Sequence, residues 1–359
     1  MTPAARRDPE TWQARYYTLK PITRLVLFSA TALPVTAHAI DDQASFQLEL
    51  ANDVVLSSDN QFTNGVAIHH HSRLADSLHD TGGTLAFGKV LAGPLLPRSG
   101  DLYYRETWVF GQSIQTPDDI ETSELILNDV PYAGGLFWSN GFYAFNDERF
   151  YGFQWLLGWG GSDAHAEATQ KGVHTILGGD NPRGWSNQLD SEPLLNLHYA
   201  IRQKVFNKNH VDASVTGDLA LGNMLTFAQT GLEFRLGKKP PGFAYVPDPP
   251  GRGLDSDATL RADGARYIYG SATVRLTGTL HSIALDGNLL RNGNEWTEQN
   301  AIEPETWTRQ LILGLHYTTP RWGAHATLWL SSESVDESNL AASEDPRNSF
   351  GSLLLEYRF

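Results

Sequence analysis

The chain has 359 residues, a net charge of −14 and no cysteine. The missing cysteine excludes disulfides, thiolate metal sites and a Cys nucleophile. The acidic balance speaks against nucleic acid as a partner.

The first predicted element is a targeting segment. Arg24 precedes an apolar run from Leu25 to Val35, and Ala37-His38-Ala39 has the small-x-small pattern of a cleavage site. Residues 1–39 are therefore expected to be a signal peptide, and 40–359 one outer-membrane barrel domain. Loss of its five basic and two acidic residues leaves 320 residues at a net charge of −17. No later apolar stretch is long enough for a membrane helix.

From residue 45 onward the dominant signal is a period of two. Phe46 to Ala51 alternates apolar and polar residues, and so do Leu195 to Arg202, Val211 to Leu219, Leu232 to Leu236, Gln310 to Tyr317 and Trp322 to Leu330. The chain ends on Leu353, Leu355, Tyr357 and Phe359, one face of a last strand closing on a terminal Phe. Apolar-out, polar-in alternation with aromatic girdles is what a transmembrane β-barrel requires. Trp108, Trp138, Trp159, Trp307, Trp322 and Tyr357 are the expected girdle residues.

Strands are predicted at 45–52, 64–73, 106–115, 134–146, 149–160, 193–206, 209–221, 225–236, 265–278, 307–318, 321–332 and 349–359. A thirteenth candidate, 281–289, is rejected because Leu285-Asp286-Gly287-Asn288 reads as a turn and bacterial barrels have even strand numbers. The fold class is thus an all-β, antiparallel transmembrane barrel of about 12 strands. With both termini periplasmic, 53–63, 116–133, 161–192, 222–224, 279–306 and 333–348 fall on the extracellular side. The Pro-rich stretch 238–263 and the segment 74–105 become unusually long periplasmic connections.

Candidate chemistry gathers at the extracellular loops. Asn52-Asp53 ends one strand and Thr63-Asn64-Gly65 opens the next; plain turn chemistry is the alternative. Ala164 to Leu177 is a predicted helix in an extracellular loop, stopped by Gly178-Gly179, with Glu167, Gln170 and His174 on one face. A histidine titrates in the range a general base needs, and carboxylate and carboxamide oxygens suit Ca2+. His69 and His71 share a strand face and form a weaker metal candidate, since His70 points away. No Gly-x-Ser-x-Gly elbow is present.

These residues resemble, in order, the outer-membrane lipid A 3'-O-deacylases. The resemblance runs through Ala51-Asn52-Asp53, Phe62 to Gly65, Gln115 to Asp119, Pro131 to Gly134, Gln170 to His174, Gly184-Trp185, Gln188-Leu189, Glu192 to Leu194, Gly222-Asn223 and Leu285 to Asn288. It implies a calcium-dependent hydrolase of the lipid A acyloxyacyl ester, in the lipopolysaccharide leaflet of the outer-membrane bilayer. His174 would be the base that activates water, with Asn52, Asp53 and Thr63 as its site partners. Asn52, Asp53 and Asp180 would lie at the Ca2+ ion, and Gln170 and Lys171 near substrate. Val130 and Gly135 stand where the family often has Arg and Trp, which bears on substrate fit. The alternatives are a non-enzymatic channel or adhesin, and an outer-membrane phospholipase with a Ser-His pair.

Overall fold

The computed structural model describes residues 43–52, 61–82, 86–177, 180–244, 248–262, 264–336, 338, 340 and 346–359, with only the backbone at 61, 63, 176 and 177. The expected signal peptide and Asp53 lie outside these residues.

Twelve antiparallel strands close into a barrel. They are β1 (Ser45–Asn52), β2 (Gln61–His71), β3 (Tyr103–Thr116), β4 (Ala133–Phe145), β5 (Arg149–Gly160), β6 (Glu192–Lys208), β7 (Val211–Gly222), β8 (Leu225–Lys238), β9 (Tyr267–Ser282), β10 (Trp307–Thr318), β11 (Trp322–Ser331) and β12 (Phe350–Arg358). Each strand pairs with its neighbours in the chain, and β1 pairs with β12, Ser45 opposite Arg358 and Asn52 opposite Gly351. Among the described residues four α-helices lie between strands: α1 (Ala86–Ala92), α2 (Ala166–Leu177), α3 (Ile283–Asp286) and α4 (Glu295–Gln299). The rejected strand 281–289 is accordingly the end of β9 followed by α3.

The alternation sorts side chains across the wall. In β1, Phe46, Leu48 and Leu50 are exposed, whereas Ser45, Gln47 and Glu49 are buried. Ile68, Phe110, Leu195, Leu197, Leu315, Leu353 and Leu355 are likewise exposed. The outer surface is apolar and the interior polar, the inverse of a soluble protein and the arrangement a bilayer demands. Trp322, Tyr357, Phe359 and Phe46 form successive ring contacts at the end carrying the termini, called here the lower end. Trp159 and Trp307 are exposed at the upper end. Trp108 and Trp138 stack at 5.1 Å, and Trp138 packs edge-on to Trp155.

The two long lower connections are explained by where they go. Residues 72–82 and 86–102, including α1, lie on the outside of the wall, where Ala92, Leu96 and Leu102 pack against Phe142, Ala144, Phe153 and Trp155. The Pro-rich connection after β8 instead turns into the lumen. Its two limbs pair at the base, Phe243 N donating to Ala258 O at 3.0 Å and Leu260 N to Pro241 O at 2.9 Å. Near its tip Pro250 packs close to Gly65, and the Arg252 guanidinium lies 5.2 Å from the centre of the Phe62 ring. Asp257 then accepts from Arg105 at 3.1 Å and Arg358 at 2.6 Å, and Arg261 pairs with Glu356 at 2.9 Å. Buried charges need such partners. Residues 239–244 and 248–262 thus form a plug held by ion pairs to the wall.

Candidate active site on the outer wall

Asn52 has the parity of Leu48 and Leu50, so it sits on the lipid-facing side of β1 at the upper rim, opposite Asn64 of β2. The register of β2 with β3 shifts between Phe62 and Asn64. This irregularity falls at Thr63, and bulges of this kind re-aim residues beside functional sites. Two carboxamides are therefore cross-strand neighbours on the outer face of the rim.

The loop helix α2 is seated on the same face, over β3 and β4. It is entered through a 3-10 turn, Gly161–Ala164, closed by His165 in the left-handed region at φ 55°. The predicted start at Ala164 is thus two residues early. Gln112 Nε2 donates to Ala164 O at 2.7 Å. A β-carbon on Gly134 would stand 2.5 Å from Ala166 Cβ, so only glycine lets the helix approach this closely. Ala166, Gln170 and His174 follow at four-residue spacing on the inward face, the first two buried and His174 half-buried.

Behind the helix, Gln170 Oε1 accepts from Trp185 Nε1 at 2.8 Å. Trp185 is buried against Tyr132, whose hydroxyl donates to Ile120 O at 3.1 Å. Burial pushes that phenol up to about 12, so it remains a donor. Gln170 thus anchors the loop from a buried position. Lys171 is exposed and pairs with Glu167 at 2.6 Å.

His174 Nδ1 lies 2.5 Å from the backbone carbonyl of Asp180. A carbonyl can only accept, so the contact requires the proton on Nδ1 and leaves the Nε2 lone pair available. Asp180 contributes its backbone here, while its exposed carboxylate is left to other partners.

Other residues of the sequence motifs are fasteners. Asn288 donates to Asp190 O at 2.8 Å and accepts from Asp190 N at 2.9 Å. Glu192 accepts from Asn223 Nδ2 at 3.0 Å and Leu290 N at 2.9 Å. Together they tie the upper loops to one another.

Asn52, Asn64 and Asp180 offer oxygen donors of the kind a hard cation such as Ca2+ takes. In that respect the described residues fit such an ion; Asp53, whose carboxylate would supply charge, lies outside them.

A closed, twelve-stranded barrel with an apolar exterior, a polar lumen and a histidine-bearing helix on its outer rim is the architecture of an outer-membrane β-barrel protein. The sequence matches the family model described as outer membrane protein LpxR over residues 24–359. The chain belongs to the LpxR family. No curated protein matches the sequence. Among solved structures it is similar to LpxR from Salmonella typhimurium, with a TM-score of 0.66 and 14% identity over 88% of this chain and 100% of that one. The β domain of the Bordetella autotransporter BrkA follows at a TM-score of 0.40 and 8% identity, over 89% of this chain and 99% of that one. The KdgM porin matches at 0.34 and 6%, over 88% and 99%.

Proposed function

We propose that this protein is an outer-membrane lipid A deacylase that hydrolyses the 3'-linked acyloxyacyl ester. The observation carrying the reading is the His174 contact: an imidazole tethered through Nδ1–H to a carbonyl is held as a base, with Nε2 turned to accept a proton from water. His174 Nε2 takes the water proton as the oxygen attacks the ester carbonyl, and returns it to the departing alkoxide. A Ca2+ ion held by Asn52, Asp53 and Asp180, with Thr63 nearby, would polarise the ester carbonyl. No covalent enzyme intermediate is needed.

The location of the site supports a membrane-resident substrate. Phe110, Leu136, Trp138, Leu157, Trp159 and Pro193 line a groove of ≈ 390 Å³ on the outer wall of β3 to β6, adjoining the strands that carry α2. Acyl chains can remain in lipid there while the ester reaches the rim. The plug speaks against the channel alternative. Among the described residues, the Ser–His hydrogen bond, Ser271 to His316 at 2.8 Å, is buried inside the barrel, where a phospholipid ester does not reach.

The test is incubation of refolded, detergent-solubilised protein with lipid A, with Ca2+ or with chelator, and mass spectrometry of the products. Loss of an acyloxyacyl mass with Ca2+ alone is expected. Full deacylation by both His174→Ala and Asp53→Ala would sink the mechanism, and activity surviving a strong chelator would remove the metal from it.

A further inference from the structure

The lumen holds a second constellation, on the opposite side of the wall from the rim site. Glu49 of β1, His69 of β2 and Asp255 of the plug each place one donor atom within 4.8 Å of the other two. All three are buried. Glu49 Oε2 is 3.0 Å from His69 Nε2, and Asp255 Oδ1 is 3.8 Å from His69 Nδ1. We propose that Glu49, His69 and Asp255 form a binding site for one divalent first-row metal ion of the zinc type, which pins the plug to the wall.

Three observations carry this. The first is orphaned donors. Glu49 Oε1 and His69 Nδ1 are fully buried without a hydrogen-bond partner, and Nδ1 faces Asp255. An unpaired buried polar atom costs roughly 1–3 kcal/mol, so two at one point need a reason. The second is charge. Among the described residues the ion-pair partner of both carboxylates is His69 alone, while Asp248, which acts electrostatically on both, is paired with Arg275. A dication would neutralise the two carboxylates.

The third is donor chemistry. One imidazole with two carboxylates suits Zn2+, whose catalytic and structural sites use His and Asp/Glu at about 2.0–2.2 Å. Two such ligands around a tetrahedral ion stand about 3.3 Å apart. An ion takes one imidazole nitrogen: at Nε2 Glu49 already stands near that separation, and Asp255, which faces Nδ1, has to move round to the Nε2 side to complete the set. Ca2+ takes six to eight oxygens and does not choose imidazole, so this site differs in kind from the calcium chemistry of the rim.

The experiment uses the full-length refolded protein, stripped with chelator, exposed to one equivalent of Zn2+ and passed through gel filtration. Elemental analysis should find one zinc per chain, with a rise in melting temperature. Asp255→Asn and His69→Gln should lose the ion, with affinity falling by more than the about 10–100-fold typical of an outer-shell change. His174→Ala should keep it, which separates this site from the rim. Heat-modifiability on gels reports whether each variant is a closed barrel. If none is, the zinc absorption edge of the wild type must show a nitrogen and oxygen shell near 2.0 Å with imidazole scattering. Failure to retain zinc, equal retention by Asp255→Asn, or a shell without imidazole overturns the proposal; the first result would leave a shared proton as the tie among the three groups.

Discussion

The seating of α2 on the wall can be tested with a single methyl group. In Gly134→Ala the new Cβ would stand 2.5 Å from Ala166 Cβ and 3.2 Å from Ala164 Cβ. Carbon atoms pack at about 3.5–4.0 Å, so the helix must lift by about 1 Å. The cost to the loop is that of overpacking, about 1–3 kcal/mol, and the barrel should stay closed. A displacement of about 1 Å at a catalytic group can lower the rate about 100-fold. Deacylation of lipid A by Gly134→Ala should fall by that order, with heat-modifiability unchanged. Gly172→Ala is the control on the same helix. A Cβ there meets nothing within 4 Å, and replacing a mid-helix glycine stabilises by about 1 kcal/mol. It should retain full activity. If Gly134→Ala were fully active, or Gly172→Ala equally impaired, the position of α2 against β4 would not be what aligns His174.

Further outcomes follow from the contacts. Lys171→Ala removes an exposed i,i+4 pair worth about 0.3–0.5 kcal/mol; melting should not move, and a marked rise in KM would show that Lys171 contacts substrate. Gln170→Leu leaves the buried Trp185 Nε1 without its acceptor; faster proteolysis of the 161–191 loop is expected, from a loss of about 1–3 kcal/mol. Asp257→Ala leaves the Arg105 and Arg358 guanidiniums buried without that carboxylate; a loss of about 3–5 kcal/mol, read by urea unfolding, is expected. Wild-type protein should be non-conducting in planar bilayers, and steady single-channel currents would contradict a seated plug.

The wall was legible because a period of two is dictated by lipid on one side and a polar interior on the other, and strands β1, β5 and β10 begin and end where the alternation does. Boundaries moved by two or three residues where polar ends extend a strand, as at β2 and β3. Two things were hidden. Nothing in the stretch around Pro240-Pro241 and Pro249-Pro250 says that it enters the barrel, because the choice depends on ion pairs with residues 101 and 152 positions away in the chain. Nor does spacing reveal Glu49, His69 and Asp255 as neighbours, since they meet only after the barrel closes around the plug. At the rim, the helix and the placement of His174 on one of its faces were readable from helix formers and the glycine stop, whereas the burial of Gln170 against Trp185 was not. Its exposure depends on which face α2 lays against the wall, and that is set by Gly134 in a strand thirty-odd residues earlier.

The ion pairs of Arg358 bear on the order of assembly. Arg358 belongs to the last strand, which seals the ring against β1, and it also grips Asp257 on the plug. Arg261 on the plug reaches Glu356 on the same strand. If the seam shut first, Arg358 and Glu356 would keep their own pair at 2.8 Å, and Asp257 and Arg261 would have to reach them inside a ring already closed. A route that closes the seam last lets residues 239–244 and 248–262 enter while the sheet is still an open, curling ribbon. The final strand then zips along both its lateral neighbour and the filling. On this route the interior serves as the mandrel on which the cylinder is rolled.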